Sequence, residues 1–209
     1  MIALYNGMGG GAAAAIAAVE LYRGEAHGVT ISSLAVLGGL IGAVSFSGSL
    51  IAFGKLQGLI KRSLRFGGQQ LLNLLILGAA VVLGVMVALH INASPAVVTA
   101  FFLLALLLGV TMTLPIGGAD MPVVISLYNA LTGLAVAFEG FVLENAAMII
   151  AGTVVGSAGT LLTQLMAKAM NRSLGNVLFS GFGESGAEAG GAVTGSLKPI
   201  EATDVGVMM

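Results

Sequence analysis

Residues 6–22 read NGMGGGAAAAIAAVELY, and the fold turns on what these glycines do. Gly7, Gly9 and Ala12 match G-x-G-x-x-G/A, the pattern in which a tight turn holds a dinucleotide pyrophosphate. Such a loop follows a strand and opens a helix within a βαβ unit, with the helix N-terminus in water. Here a short apolar lead, MIALY, precedes Asn6, and AAAAIAAVELY continues the run as one bilayer-length segment. Asn6, Gly9, Gly10, Ala13 and Ala17 fall at i, i+3, i+4, i+7 and i+11, which makes one smooth face for close helix packing. The run is read as a membrane helix and not as a nucleotide loop.

Composition points the same way. The chain has 209 residues, of which 57% are hydrophobic and 8% charged, and its mean hydropathy is +1.05. Soluble domains carry about 25% charged residues, and a chain this poor in charge cannot cover a globule with a polar skin. With no cysteine, neither a disulfide framework nor a thiolate metal site can form. A net charge of −1 argues nothing about nucleic acid, and no nucleic-acid partner is expected. Met1 opens into apolar sequence with no basic residue before Arg23, so no secretory signal is expected.

Apolar runs near the ~20 residues that a spanning helix needs cover 1–22, 30–54, 68–91, 95–115, 120–142 and 145–168. They are long and continuous, which favours helices over barrel strands. The expected fold is an all-α integral membrane bundle of about six transmembrane helices. Lys55, Lys61, Arg62 and Arg65 lie between the second and third, and Lys168 and Arg172 follow the sixth. If these are inside, then Arg23, Glu20, Glu25, Glu139 and Glu144 mark the outer ends, and both termini are cytoplasmic. Residues 1–170 form the transmembrane domain. Residues 171–209, rich in Gly, Ser and Ala, read as a cytoplasmic linker towards a further domain. LYNGMGGGAAA (4–14) echoes LYNALTGLAVA (127–137), which suggests that helices 1–2 repeat as helices 5–6 in parallel.

Polar residues inside a span face a partner or a water path. Asn129 lies about nine residues into the fifth helix, ~13 Å deep. Ser126, Asn129, Thr132 and Gly133 are expected to share a face. Two readings stand for Asn129 and for Asn6: a hydrogen bond between helices, or the holding of water in a proton relay. An amide does not titrate near neutral pH, so neither residue accepts the proton itself. Asp120, just before Pro122, reads as the N-cap of the fifth helix, which is compatible with a role at the cytoplasmic rim. His90 closes the third helix and His27 lies in a loop, so the spans show no obvious titrating residue. The patches Ser45, Ser47, Gly48, Ser49 and Gly156, Ser157, Gly159, Thr160 read as packing surfaces or as flexible helices lining a cavity. No catalytic or metal site is expected.

ALYNGMGGGAAAAIAAVEL, FSGSLIAFGKLQG, LPIGGADMPVVISLYNALTGLAVAFEGF and LMAKAMNRS…SGFG together resemble the membrane domain of the beta subunit of proton-translocating NAD(P) transhydrogenase, across essentially the whole chain. The resemblance implies coupling of transmembrane proton movement to hydride transfer between NADH and NADP+. It implies NAD(H) on a partner alpha subunit and NADP(H) in a domain beyond Met209. This fragment would then hold no cofactor and would not be catalytic alone. It would be a truncated beta subunit, lacking the family's first helices, in the inner (plasma) membrane, and part of a homodimer of complete enzymes. Residue by residue, the resemblance implies a proton path at Asn6, where some relatives have histidine, and at Asn129, with Ser126 and Thr132 alongside. It implies coupling to the nucleotide domain at Asp120, Gly156, Ser157, Gly159 and Arg172. A secondary transporter built on the parallel repeat, or a membrane scaffold, is the competing expectation.

Overall fold

A computed structural model describes residues 1–24, 28–60, 63, 64, 67–171 and 175. The expectations for Glu25, His27, Lys61, Arg62, Arg65, Arg172 and the rest of the linker lie outside the described residues. Among the described residues six α-helices follow one another: α1 (Ile2–Arg23), α2 (Val29–Leu56), α3 (Gln69–Ala88), α4 (Pro95–Thr113), α5 (Met121–Val142) and α6 (Ala146–Ala169). A 3₁₀ turn, Gly118–Asp120, leads into α5. All six helices are long and apolar enough to cross a membrane. Each boundary lies within a few residues of its sequence expectation.

Local chemistry sets the ends. Gly24 takes φ 62° and closes α1 in the left-handed conformation that glycine adopts without a Cβ clash. Pro95 opens α4, where a missing N–H is harmless. Asn145 caps α6 by accepting the Met148 amide at 3.2 Å. Asp120 holds the N-cap position of α5, but its side chain makes no cap hydrogen bond, which corrects the sequence expectation. The 3₁₀ turn gives Asp120 helical dihedrals (φ −87°, ψ −6°), whereas a capping side chain reaches back from an extended backbone.

α2 is the central helix, packed against α1, α3, α4 and α5. α5 packs between α2, α1 and α6. α3 and α6 form the flanks, and their outward leucines, valines and isoleucines are exposed. Asn6–Ser49 and Lys55–Thr113 contacts place the start of α1 with the ends of α2 and α4. Ser32–His90 and Tyr22–Thr99 contacts define the opposite end of the bundle. Lys55 and Lys168 therefore mark one end, and Glu20, Arg23, His90 and Glu144 the other.

The helices meet through small residues. A Cβ at Gly42 would lie 2.7 Å from the Gly10 carbonyl oxygen and 2.9 Å from the Ala14 nitrogen, so α1 and α2 touch backbone to backbone. A Cβ at Gly133 would lie 2.5 Å from the Gly156 nitrogen, and one at Gly159 would lie 2.9 Å from the Ala130 Cα. Where hydrocarbon surrounds a protein, such close approach supplies the dispersion contacts that hold helices together. Larger side chains fill the ends: Phe101 packs edge-on to Phe102 with centroids 5.0 Å apart.

Candidate functional site

The glycine run of α1 buries Ala3, Asn6, Gly7, Gly10, Ala13, Ala17 and Leu21, a helical stripe facing α2 and α5. Gly7 and Gly10 lie within α1 and press on α2, so no backbone amides are free there for a pyrophosphate. Asn6 is 8% exposed, and its Nδ2 donates to Ser49 Oγ at 2.9 Å. Its Oδ1 is buried without a hydrogen-bond partner. One turn along α2, Ser45 Oγ donates to the Tyr128 carbonyl at 3.5 Å.

Tyr128 crosses towards α4. Its ring lies where a Cβ at Gly48 would come 2.5 Å from Cζ, so glycine makes room for it. Its hydroxyl is 2.6 Å from Thr113 Oγ1. Thr113 Oγ1 donates its one proton to the Gly109 carbonyl at 2.7 Å, so the Tyr128 hydroxyl is the donor. Ser126 turns to α6, where its Oγ is hydrogen-bonded to Thr163 Oγ1 at 3.0 Å. Thr132 sets its Cγ2 over Gly9, and its Oγ1 is buried without a partner. A polar layer thus threads α1, α2, α4, α5 and α6 towards the lysine end. It holds buried acceptors with unused capacity, as an ordered water would need.

The sequence expectation of one shared face for Ser126, Asn129, Thr132 and Gly133 is corrected. Helix α5 is enclosed by different neighbours on its different sides: Ser126 and Gly133 face α6, while Thr132, a residue's rotation away from Gly133, faces α1. Asn129 is only half-buried and makes no hydrogen bond among the described residues. Asp120 is buried at the start of α5. Gly156 and Gly159 face α5, while Ser157 is exposed on the far side of α6.

Three features escape a reading of the sequence. Nothing in the run LYNALTG singles out Tyr128 as a cross-link between helices. Lys55 counts there only as a positive charge, yet its Nζ donates to the carbonyls of Thr113 (3.2 Å), Leu114 and Ile116 (2.7 Å), setting a positive charge against the C-terminal end of α4. Glu139, expected as an outer-end charge, is instead fully buried, 0% exposed, one turn inside α5. The signal is present: Ile125, Tyr128, Thr132, Ala135, Glu139 and Val142 repeat at alternating spacings of three and four and are all buried. The spans therefore do contain a titratable group. Among the described residues, no three His, Cys, Asp or Glu side chains are grouped to hold a metal ion.

Fold and site define a polytopic helical membrane protein with a polar layer buried in its bundle. The model of the family described as NAD(P) transhydrogenase beta subunit matches residues 1–209, and the chain belongs to that family. Two proteins named NAD(P) transhydrogenase subunit beta, both from Rhodospirillum rubrum, are 42% identical to it over 221 aligned residues covering 100% of this chain. The chain spans 47% of the length of these relatives.

Proposed function

We propose that the chain is the membrane domain of a proton-translocating NAD(P) transhydrogenase, coupling transmembrane proton movement to hydride transfer between NADH and NADP+. The match of residues 1–209 to the beta-subunit family carries this reading. The polar layer around Asn6, Ser49, Tyr128 and Thr132 supports it, because buried groups with unused hydrogen-bonding capacity are what a water-borne proton path requires. In this reading the lysine end is cytoplasmic, as are both termini, and the membrane is the inner (plasma) membrane. The partner is an alpha subunit carrying NAD(H), and the complete enzyme is a homodimer. Asp120, Gly156, Ser157, Gly159 and Arg172 serve coupling to a nucleotide domain.

The described residues do not fit a dinucleotide, since their glycine-rich match is consumed in α1–α2 packing. In this reading NADP(H) and the hydride step lie outside the described residues. What the chain itself contributes is the orientation of water: Asn129 offers two donors and an acceptor that no described residue takes up.

Asn129→Leu in the complete enzyme tests this. The leucine removes donors and acceptor and fills space that a water needs. Proton pumping per hydride transferred in reconstituted vesicles should fall strongly, while exchange between nucleotides on the soluble domains falls less. An unchanged ratio and unchanged rate, normalised to folded protein, would reduce Asn129 to a packing residue.

A further inference from the structure

Glu139 lies apart from the polar layer, towards the end of the bundle that carries Glu20 and His90. Its side chain is fully buried, and neither carboxyl oxygen has a hydrogen-bond partner. Room for it is cut into α2: a Cβ at Gly38 would overlap Glu139 Oε1. An ionised group so enclosed within a membrane bundle is costly, and such groups persist where a proton or an ion can reach them.

A way to reach it lies one turn further out. A cavity of about 20 Å³ opens there, lined by Glu20, Ser32, Ala35, Val87, His90 and Val142 among others. That is room for about one water. Ala35 lies one turn before Gly38 on α2, and Val142 one turn after Glu139 on α5, so the cavity ends a turn short of the carboxyl group, with these two side chains between them. The lining is mostly apolar and carries three polar side chains, Glu20, Ser32 and His90; Ser32 Oγ and His90 Nε2 are 3.2 Å apart. The charged groups facing Glu139 come from α1, where Glu20 acts on it electrostatically and pairs with Arg23 at 3.5 Å. His90 follows α3. Helices α2 and α6 bring no titratable side chain to this level among the described residues, since Lys55 and Lys168 are at the far end. In the other direction Gly10 and Gly42 meet backbone to backbone, at a level of α1 and α2 between Glu139 and the Asn6 layer.

We infer that Glu139 is a proton-binding site, loaded from the side of the cavity of Glu20, Ser32 and His90. For its place in a transport cycle the inference rests on the proton-path reading above. A hydronium ion from the cavity side gives its proton to a Glu139 carboxylate oxygen; an O–H bond forms, a water remains, and release is the reverse. The site supplies on this chain the titrating group that the two asparagines cannot provide.

The test uses the complete enzyme in membranes and has two readouts. Infrared difference spectra across a downward pH step should show the carbonyl stretch of a buried carboxylic acid, lost in Glu139→Gln and displaced in Glu139→Asp. The aspartate variant carries the assignment if the glutamine variant is poorly expressed. Spectra identical in all three proteins would overturn the proposal. Ser32→Leu fills the cavity, so the band should appear more slowly at the same final amplitude; an unchanged rate would overturn the cavity as the entry. In vesicles, Glu139→Gln should lower pumping about a hundredfold, the scale of a lost proton-transfer group, and Glu139→Asp should restore part of it. If the unaltered enzyme pumps and Glu139→Gln pumps equally, the role of Glu139 falls and the proton-path reading stands. If the unaltered enzyme moves no protons during turnover, the proton-path reading falls, and the infrared band still decides whether Glu139 takes up a proton.

Discussion

Lys55 shows how much a single side chain can do that its charge alone does not announce. Its ammonium group gathers the carbonyls of Thr113, Leu114 and Ile116 where α4 stops and its last carbonyls lose their helical partners. Replacing it with methionine keeps the length and apolar stem of the side chain and removes the donors. Lys55→Met should therefore destabilise the folded bundle by about 1.5–3 kcal/mol, the range for hydrogen bonds to a charged group. Thermal unfolding in detergent, followed by the loss of monodisperse protein, measures it; a melting temperature equal to that of the unaltered chain would show that the carbonyls are as well served by water. At this scale the sequence is least legible. Asn6 and Ser49 are forty-three positions apart, and nothing in either segment announces that they meet. Glu139 misleads because an acid near a helix end usually faces water; only the three-and-four spacing of its stripe argues otherwise.

At the scale of elements the sequence is nearly transparent. Apolar length sets six spans, because a bilayer fixes how many residues a helix needs, and the observed boundaries differ by only a few residues. The packing face of α1 is also visible, since small residues at helical spacing have one main use in a membrane. The partner of each face is not visible, because a glycine stripe does not name the helix it will touch. Gly42 makes this testable. Its missing Cβ admits the Gly10 carbonyl and the Ala14 nitrogen, both backbone atoms that cannot swing aside. Gly42→Leu should cost at least about 1–3 kcal/mol through overpacking and reduce the yield of folded protein. Ser157→Leu, on the exposed side of α6, should change stability by less than about 0.5 kcal/mol. Equal stability of both variants, measured by the same unfolding assay, would mean that the α1–α2 contact is looser than described.

For the molecule as a whole, charge asymmetry sets the expected orientation, and the cysteine-free sequence makes it simple to check. Leu64→Cys and Glu144→Cys, introduced singly, lie beyond opposite ends of the bundle and are both exposed. A membrane-impermeant maleimide added to intact cells should modify the cysteine at 144 and leave the one at 64 untouched until the membrane is opened. The reverse pattern would invert the topology. The way α6 is held also matters to the whole. It leans principally on α5, through Gly152, Gly156 and Gly159 against Ala130, Gly133 and Ala137. Surfaces without protruding side chains dictate how near two rods lie, yet they have no teeth. Interlocked leucines would have to climb over one another before either helix could slip; glycine and alanine present no such ridges. α6 is thus seated like a shaft in a plain bearing, held at a fixed separation, with the Ser126–Thr163 hydrogen bond as the pin that must break before it can screw a fraction of a turn. Any pull on the chain that continues past Ala169 would be carried along α6 as axial travel and delivered at its other end, beside Asn145 and the last turn of α5.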